Sequence, residues 1–171
     1  MKTLLLTMVL YLFLVSPSWA QPTCQEASAI YVPQSSPEAS YRLELEMMEK
    51  GFYCYNVPLF DPRWRARGNT ISFAPVYRHT AQTFDKPFKV YVEGKHAIIY
   101  YPRDKHLGPA FAYRDGAGWV LDRTTVMEKI HYGDGWVADE GGYPYLGLLK
   151  KVFSVEKGRS SRGVVVYRPV K

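Results

Sequence analysis

The alternation of apolar and polar positions divides the chain into three regimes. Leu4 to Val15 form an apolar run broken only by Thr7, preceded by the positive Lys2 and followed by Ser16-Pro17-Ser18-Trp19-Ala20. A positive start, a short apolar stretch and small residues at −3 and −1 make a secretory signal peptide over 1–20, with cleavage expected after Ala20. The run is too short for a stable membrane span, which needs about 20 residues, and no second long apolar segment follows.

The second regime has helical spacing. Residues 21–36 are polar and Pro-containing, which predicts an extended entry segment. Ser35-Ser36-Pro37-Glu38 then signals a helix start, with Ser35 and Glu38 at capping-box spacing and Pro in the first turn. Tyr41, Leu45, Met48 and Phe52 recur at i, i+4, i+7 and i+11, with Leu43 and Met47 beside them, and Gly51 follows as a stop. The spacing predicts a helix over 37–50 whose stripe is core, leading into a strand over 52–57.

After Pro58 the pattern shifts to short strands between turn residues. Strands are expected at 70–78, 88–93, 96–101, 109–114, 118–121, 135–138, 150–155 and 163–168, with a short helix over 124–130. Gly94 and Gly116 sit in tight-turn contexts, and Gly158 to Gly163 form a hairpin tip. One mature domain over 21–171 follows, of α+β class. In it the N-terminal helix packs on a curved, mostly antiparallel sheet or a small SH3-like barrel.

Composition changes this picture in two places. Cys24 and Cys54 are the two cysteines. In an oxidising compartment an even pair reads as one disulfide closing a loop of about thirty residues. The formal net charge of +6 is placed unevenly. Residues 150–171, read as a basic C-terminal hairpin, carry Lys150, Lys151, Lys157, Arg159, Arg162, Arg168 and Lys171 against Glu156 alone, whereas 21–149 is nearly balanced. Such a tail suits an anionic surface, although ordinary solvated lysines give the same pattern.

Tyr113-Arg114-Asp115-Gly116-Ala117-Gly118-Trp119-Val120-Leu121-Asp122 resembles the tight-turn element of bacterial SH3-like domains. Gly135-Trp136-Val137-Ala138-Asp139, followed by Tyr143-Pro144-Tyr145-Leu146, is similar to the same element and that family's closing aromatic segment. The resemblance covers 95–146. It implies a role in binding wall peptide or protein.

Chemistry-bearing residues are sparse. Trp119 and Trp136 either form an aromatic platform, extended by Tyr113, Tyr143 and Tyr145, or plug the core under neighbouring hairpins. With Arg159 and Arg162 these residues are the candidate contacts. His79, His96, His106 and His131 lack the i, i+4 spacing of a helical zinc pair. The acidic loop around Asp134 and Asp139 departs from the twelve-residue calcium pattern. No G-x-S-x-G elbow or phosphate loop occurs, so no catalytic residue, metal or nucleotide cofactor is assigned. The function expected is an exported binding or inhibitor-type protein for an envelope or extracellular partner, a protein or cell-wall glycan. The alternatives are a small secreted hydrolase or toxin acting on envelope polymer or RNA, and an envelope assembly subunit using its basic tail. The address is periplasmic or secreted.

Overall fold

The structure is a computed structural model and describes residues 23–66, 80–102, 109–116, 118–125, 144–159 and 165–169. The expected signal peptide, the strands at 70–78 and 135–138, and the hairpin tip lie outside these residues. Helices come first: α1 (Cys24–Ile30), α2 (Pro37–Glu49) and α3 (Pro62–Arg65), with a further helical turn at 80–83. Four strands follow, β1 (Lys89–Glu93), β2 (His96–Tyr100), β3 (Ala110–Asp115) and β4 (Gly118–Leu121), then α4 (Leu146–Val152), β5 (Val155–Arg159) and β6 (Val165–Pro169).

Strands β1 to β4 pair antiparallel in sequence order, and β5 pairs with β6 in a separate two-stranded sheet. The class is α+β. The four-stranded sheet is open, so the expected barrel alternative is not what the described strands form. Its two tight turns place glycine where an L side chain is strained: Gly94 has φ +58 and Gly116 φ +56. That is the sign a two-residue hairpin turn demands at its first central position.

Strand parity gives the sheet two buried faces. Ala97, Ile99, Ala110, Ala112, Trp119 and Leu121 face a cluster that includes Tyr41, Met47 and Met48 of α2. Ile98 and Phe111 face Tyr145, Leu148 and Leu149 at the start of α4. Helices therefore cover both faces, one from each end of the chain.

Several expectations are corrected. The entry segment 21–36 is not extended throughout, because 24–30 is helical. Thr23 Oγ1 accepts from Glu26 N at 3.2 Å while Glu26 Oε2 accepts from Thr23 N at 2.7 Å, a reciprocal capping box that holds a helix of only seven residues. The N-cap of α2 is Ser36, whose side chain accepts from Ala39 N at 3.1 Å, rather than Ser35. Residues 52–57 do not form a strand. Phe52, Tyr53, Cys54 and Val57 are all buried while Asn56 is exposed, a run of consecutive buried residues rather than the alternation of a half-exposed strand. Finally, 150–152 closes α4 and the ribbon begins at Val155. Tyr145, Leu148 and Leu149 recur at i, i+3 and i+4, and all are buried, which is helical spacing.

The disulfide Cys24–Cys54 forms as expected. Its loop, with a sequence separation of 30, encloses the whole of α2. Closing it removes unfolded-state entropy equivalent to about 3–4 kcal/mol.

Candidate functional site

The chemistry the fold assembles lies at the junction of α2, α3 and the end of β4. Glu44 sits in the middle of α2 and is fully buried. It accepts from Tyr53 Oη at 2.6 Å and from Arg123 Nε at 2.8 Å, and pairs with Arg123 Nη2. Burial alone would lower the Arg123 pKa. The Glu44 carboxylate outweighs that cost and holds it well above the usual arginine value. Beside this pair, Tyr41 Oη and Tyr101 Oη are 3.0 Å apart, and Tyr101 donates to the Phe84 carbonyl at 3.1 Å. Burial pushes both phenols up.

Asp61 is the second node, 3% exposed. Asp61 before Pro62 is a sequence signature for a helix start, and its Oδ1 accepts from Trp64 N at 3.0 Å and from Thr124 Oγ1 at 2.6 Å. Its Oδ2 accepts from the backbone N–H groups of Arg123 and Thr124, each at 3.0 Å. Four donors occupy the acceptor sites a carboxylate offers. Asp122, the third node, accepts from Thr125 N, Thr125 Oγ1 and Tyr145 Oη at 2.9, 2.7 and 3.1 Å. It starts the helical turn at 123–125, the described beginning of the helix expected over 124–130. These carboxylates tie distant segments together, and their lone pairs already have donors.

The residues expected as contacts are dispersed by this arrangement. Trp119 is 7% exposed and faces the α2 cluster, and its carbonyl accepts from Ser40 Oγ at 2.7 Å. Tyr145 is fully buried, with its ring 4.7 Å from Phe111 and 5.2 Å from His96. Both are core residues rather than surface contacts: every residue of β4 is buried, and Tyr145 packs on Phe111 and His96. Tyr113 pairs in register with Val120, one residue away from Trp119, so it lies on the opposite face of the sheet and the platform does not form. Its phenol is half-buried. Burial pushes it up to about 12, with Asp61, Asp122 and Asp115 adding to the shift and Arg65 opposing it. Tyr113 is also the register partner of His96. Burial, then Lys95, lowers the His96 imidazole, against Asp122. Trp136, Tyr143 and Arg162, and the side chain of Arg159, lie outside the described residues.

Two further regions lie at the surface; the sequence marked the second of them, the basic one, but not the first. A groove of about 140 Å³ is lined by Arg42, Leu45, Phe84 and Phe88, among others, with Arg42 lying 4.9 Å above the Phe88 ring. It falls below the roughly 300 Å³ of ordinary small-molecule sites. The last turn of α4 carries Lys150 and Lys151, both exposed, and leads through Phe153 into β5, where Lys157 is exposed. Among the described residues no three metal-ligating side chains converge, and no helix is long and apolar enough to cross a membrane. Comparison of the chain with protein-family models, curated proteins and solved structures finds no match.

Proposed function

We propose that the protein is an exported binding or inhibitor-type protein that recognises an envelope or extracellular partner, a protein or cell-wall glycan, through its basic C-terminal surface. The observation that carries this reading is a separation of polar roles. Inside, Glu44, Asp61, Asp122 and Arg123 are occupied in holding the chain together. Outside, Lys150 and Lys151 at the end of α4 and Lys157 on β5 are exposed, and β5 and β6 pair with each other and, among the described residues, with no other strand. A ribbon that follows α4 in the chain offers a charged edge to an anionic partner. The N-terminal apolar run and the disulfide suit a protein that folds after export, with cleavage after Ala20. The turn element around Gly116 and Trp119 keeps the wall-peptide or protein partner of SH3-like domains within this reading. With Trp119 and Tyr145 in the core, the contact role passes from them to the lysines, with Tyr113 at the sheet's margin.

The test is retention of envelope components by the immobilised protein, followed by salt titration of whatever is held. Reversing Lys150 and Lys157 together to Glu is expected to weaken retention about tenfold, and binding should fall steeply as ionic strength rises. Retention indifferent to both would refute a role for the basic surface. Loss of an associated catalytic turnover in His96→Ala, with folding intact, would instead favour the hydrolase.

A further inference from the structure

The two edges of the main sheet are finished differently. Strand β4 is sealed by its own chain: Trp119 N donates to the Gln34 carbonyl at 2.8 Å, Leu121 N to the Leu59 carbonyl at 2.9 Å, and Asp61 N to the Leu121 carbonyl at 3.0 Å. Strand β1 has a neighbour on one side alone, β2, among the described residues. In a two-residue hairpin the closing pair, here Glu93 and His96, is hydrogen bonded. Alternation then turns the backbone groups of Lys89, Tyr91 and Glu93 toward β2 and those of Val90 and Val92 outward. Val92 is 47% exposed, an uncommon position for a valine on a strand. Neither Val90 nor Val92 is a proline, so each presents an N–H and a C=O.

The sequence of β1 is Lys89-Val90-Tyr91-Val92-Glu93, which is self-complementary when run against itself. We propose that β1 is a homodimerisation edge, pairing antiparallel with β1 of a second copy about a two-fold axis at Tyr91. In that register Val90 lies opposite Val92 of the copy in both directions, so the outward backbone groups meet as two hydrogen-bonded pairs. Lys89, Tyr91 and Glu93 share the other face. Lys89 falls opposite Glu93 of the copy, and Tyr91 opposite Tyr91, at the close spacing of non-hydrogen-bonded pairs. The valines meet on the face that carries Ile99 and Ala97, so Val92 loses its exposure against an apolar neighbour.

Charge selects this register over its neighbours. Centring on Val90 sets Lys89 against Tyr91, and centring on Val92 sets Lys89 against Lys95. The tyrosine-centred register alone gives two opposite-charge pairs. Glu93 already pairs with Lys151 of its own chain, and both side chains remain about half exposed, so the carboxylate can receive a second cation from the copy's Lys89. The result is an eight-stranded sheet continuous across two molecules, with the basic ribbons on separate protomers. The inference stands whatever partner those ribbons bind.

Sedimentation equilibrium of the protein expressed from its full sequence, at loadings up to about 1 mM, reads the assembly directly. A dimer is expected, since a Kd of even about 1 mM leaves half the chains paired at that loading. Val92→Pro removes an outward N–H while leaving the ladder to β2 intact, and should return the protein to monomer. Lys89→Glu sets like charges across both pairs and should weaken pairing at least tenfold. The exchange of Lys89→Glu with Glu93→Lys should restore pairing to within about threefold. Far-UV circular dichroism confirms that each variant is folded. A monomer at every loading overturns the proposal, as does a dimer that Val92→Pro and Lys89→Glu leave unchanged.

Discussion

Replacing Glu44 by Gln removes one charge from a site that water does not reach. Glu44 is fully buried, and the Arg123 side chain is 16% exposed, so the guanidinium would keep its charge without the carboxylate that compensates it. Glutamine keeps one oxygen that can still accept from Tyr53 Oη and Arg123 Nε, while its amide nitrogen, a donor, meets Arg123 Nη2 in place of the lost acceptor, so packing survives and the pair is broken from one side. Breaking a buried pair from one side costs about 3–5 kcal/mol, a large part of the 5–15 kcal/mol typical of a domain. For a chain of this size that lowers Tm by about 10 °C. The informative control removes every polar member together: Glu44→Met, Arg123→Met and Tyr53→Phe. Apolar replacement of a whole buried network is often neutral or stabilising, and the backbone bonds from Arg123 N to Asp61 remain in any substitution. Urea unfolding followed by tryptophan fluorescence, with the disulfide intact, reads both variants, since Trp64 and Trp119 are buried. A loss below about 1 kcal/mol in Glu44→Gln, or a triple variant as unstable as the single one, would refute the idea that an uncompensated charge governs this site.

Two other substitutions probe the edge and the margin of the sheet. A Cβ added at Gly118 would stand 2.5 Å from Pro33 Cβ and 3.1 Å from the Pro33 backbone. Gly118→Ala should therefore cost about 1–3 kcal/mol in chemical denaturation, and an unchanged midpoint would show that the 33–34 segment is not seated on β4. The His96 imidazole titrates below its unfolded value of 6.5, so between the two values the unfolded chain binds more protons. Its contribution to stability is complete above about pH 6.5 and lost as pH falls toward the folded value. His96→Phe, which keeps a ring against Tyr145, should reduce the drop in Tm between about pH 7.5 and pH 5.5; an identical drop would remove His96 from the account.

The hairpins were legible because their signals are local. Apolar alternation in 89–93 and 96–100 and the glycines at 94 and 116 specify strands and turns within a few residues of one another. The helix over 37–49 was legible for the same reason, from Ser36-Pro37 and its apolar spacing. Local signals also existed for two missed elements: Thr23 with Glu26 for α1, and Tyr145, Leu148 and Leu149 for α4. They were outweighed by a polar, Pro-containing context in one case and by β-branched residues after Lys150 in the other. What no local pattern carries is the polar core. Glu44 reads as a solvated helix residue until Arg123, 79 positions later, is placed against it. Ser40 likewise finds its acceptor at Trp119. Strand parity also separates Tyr113 from Trp119, which decides for Trp119 between the two alternatives the sequence left open, platform and core plug.

The seal on β4 sets an order of assembly. Gln34, Leu59 and Asp61 can complete their backbone bonds only when residues 119–121 are present, and Glu44 waits for Arg123. A chain that emerges from a ribosome N-terminus first therefore presents α1, α2 and α3 with their own caps before the β4 groups that complete their remaining bonds. Until about residue 125 arrives, Glu44 has Tyr53 but not Arg123, and Asp61 has Trp64 N but not the donors at 123 and 124. The residues that lock the finished fold therefore do so through contacts of long sequence separation, the kind that close late in folding.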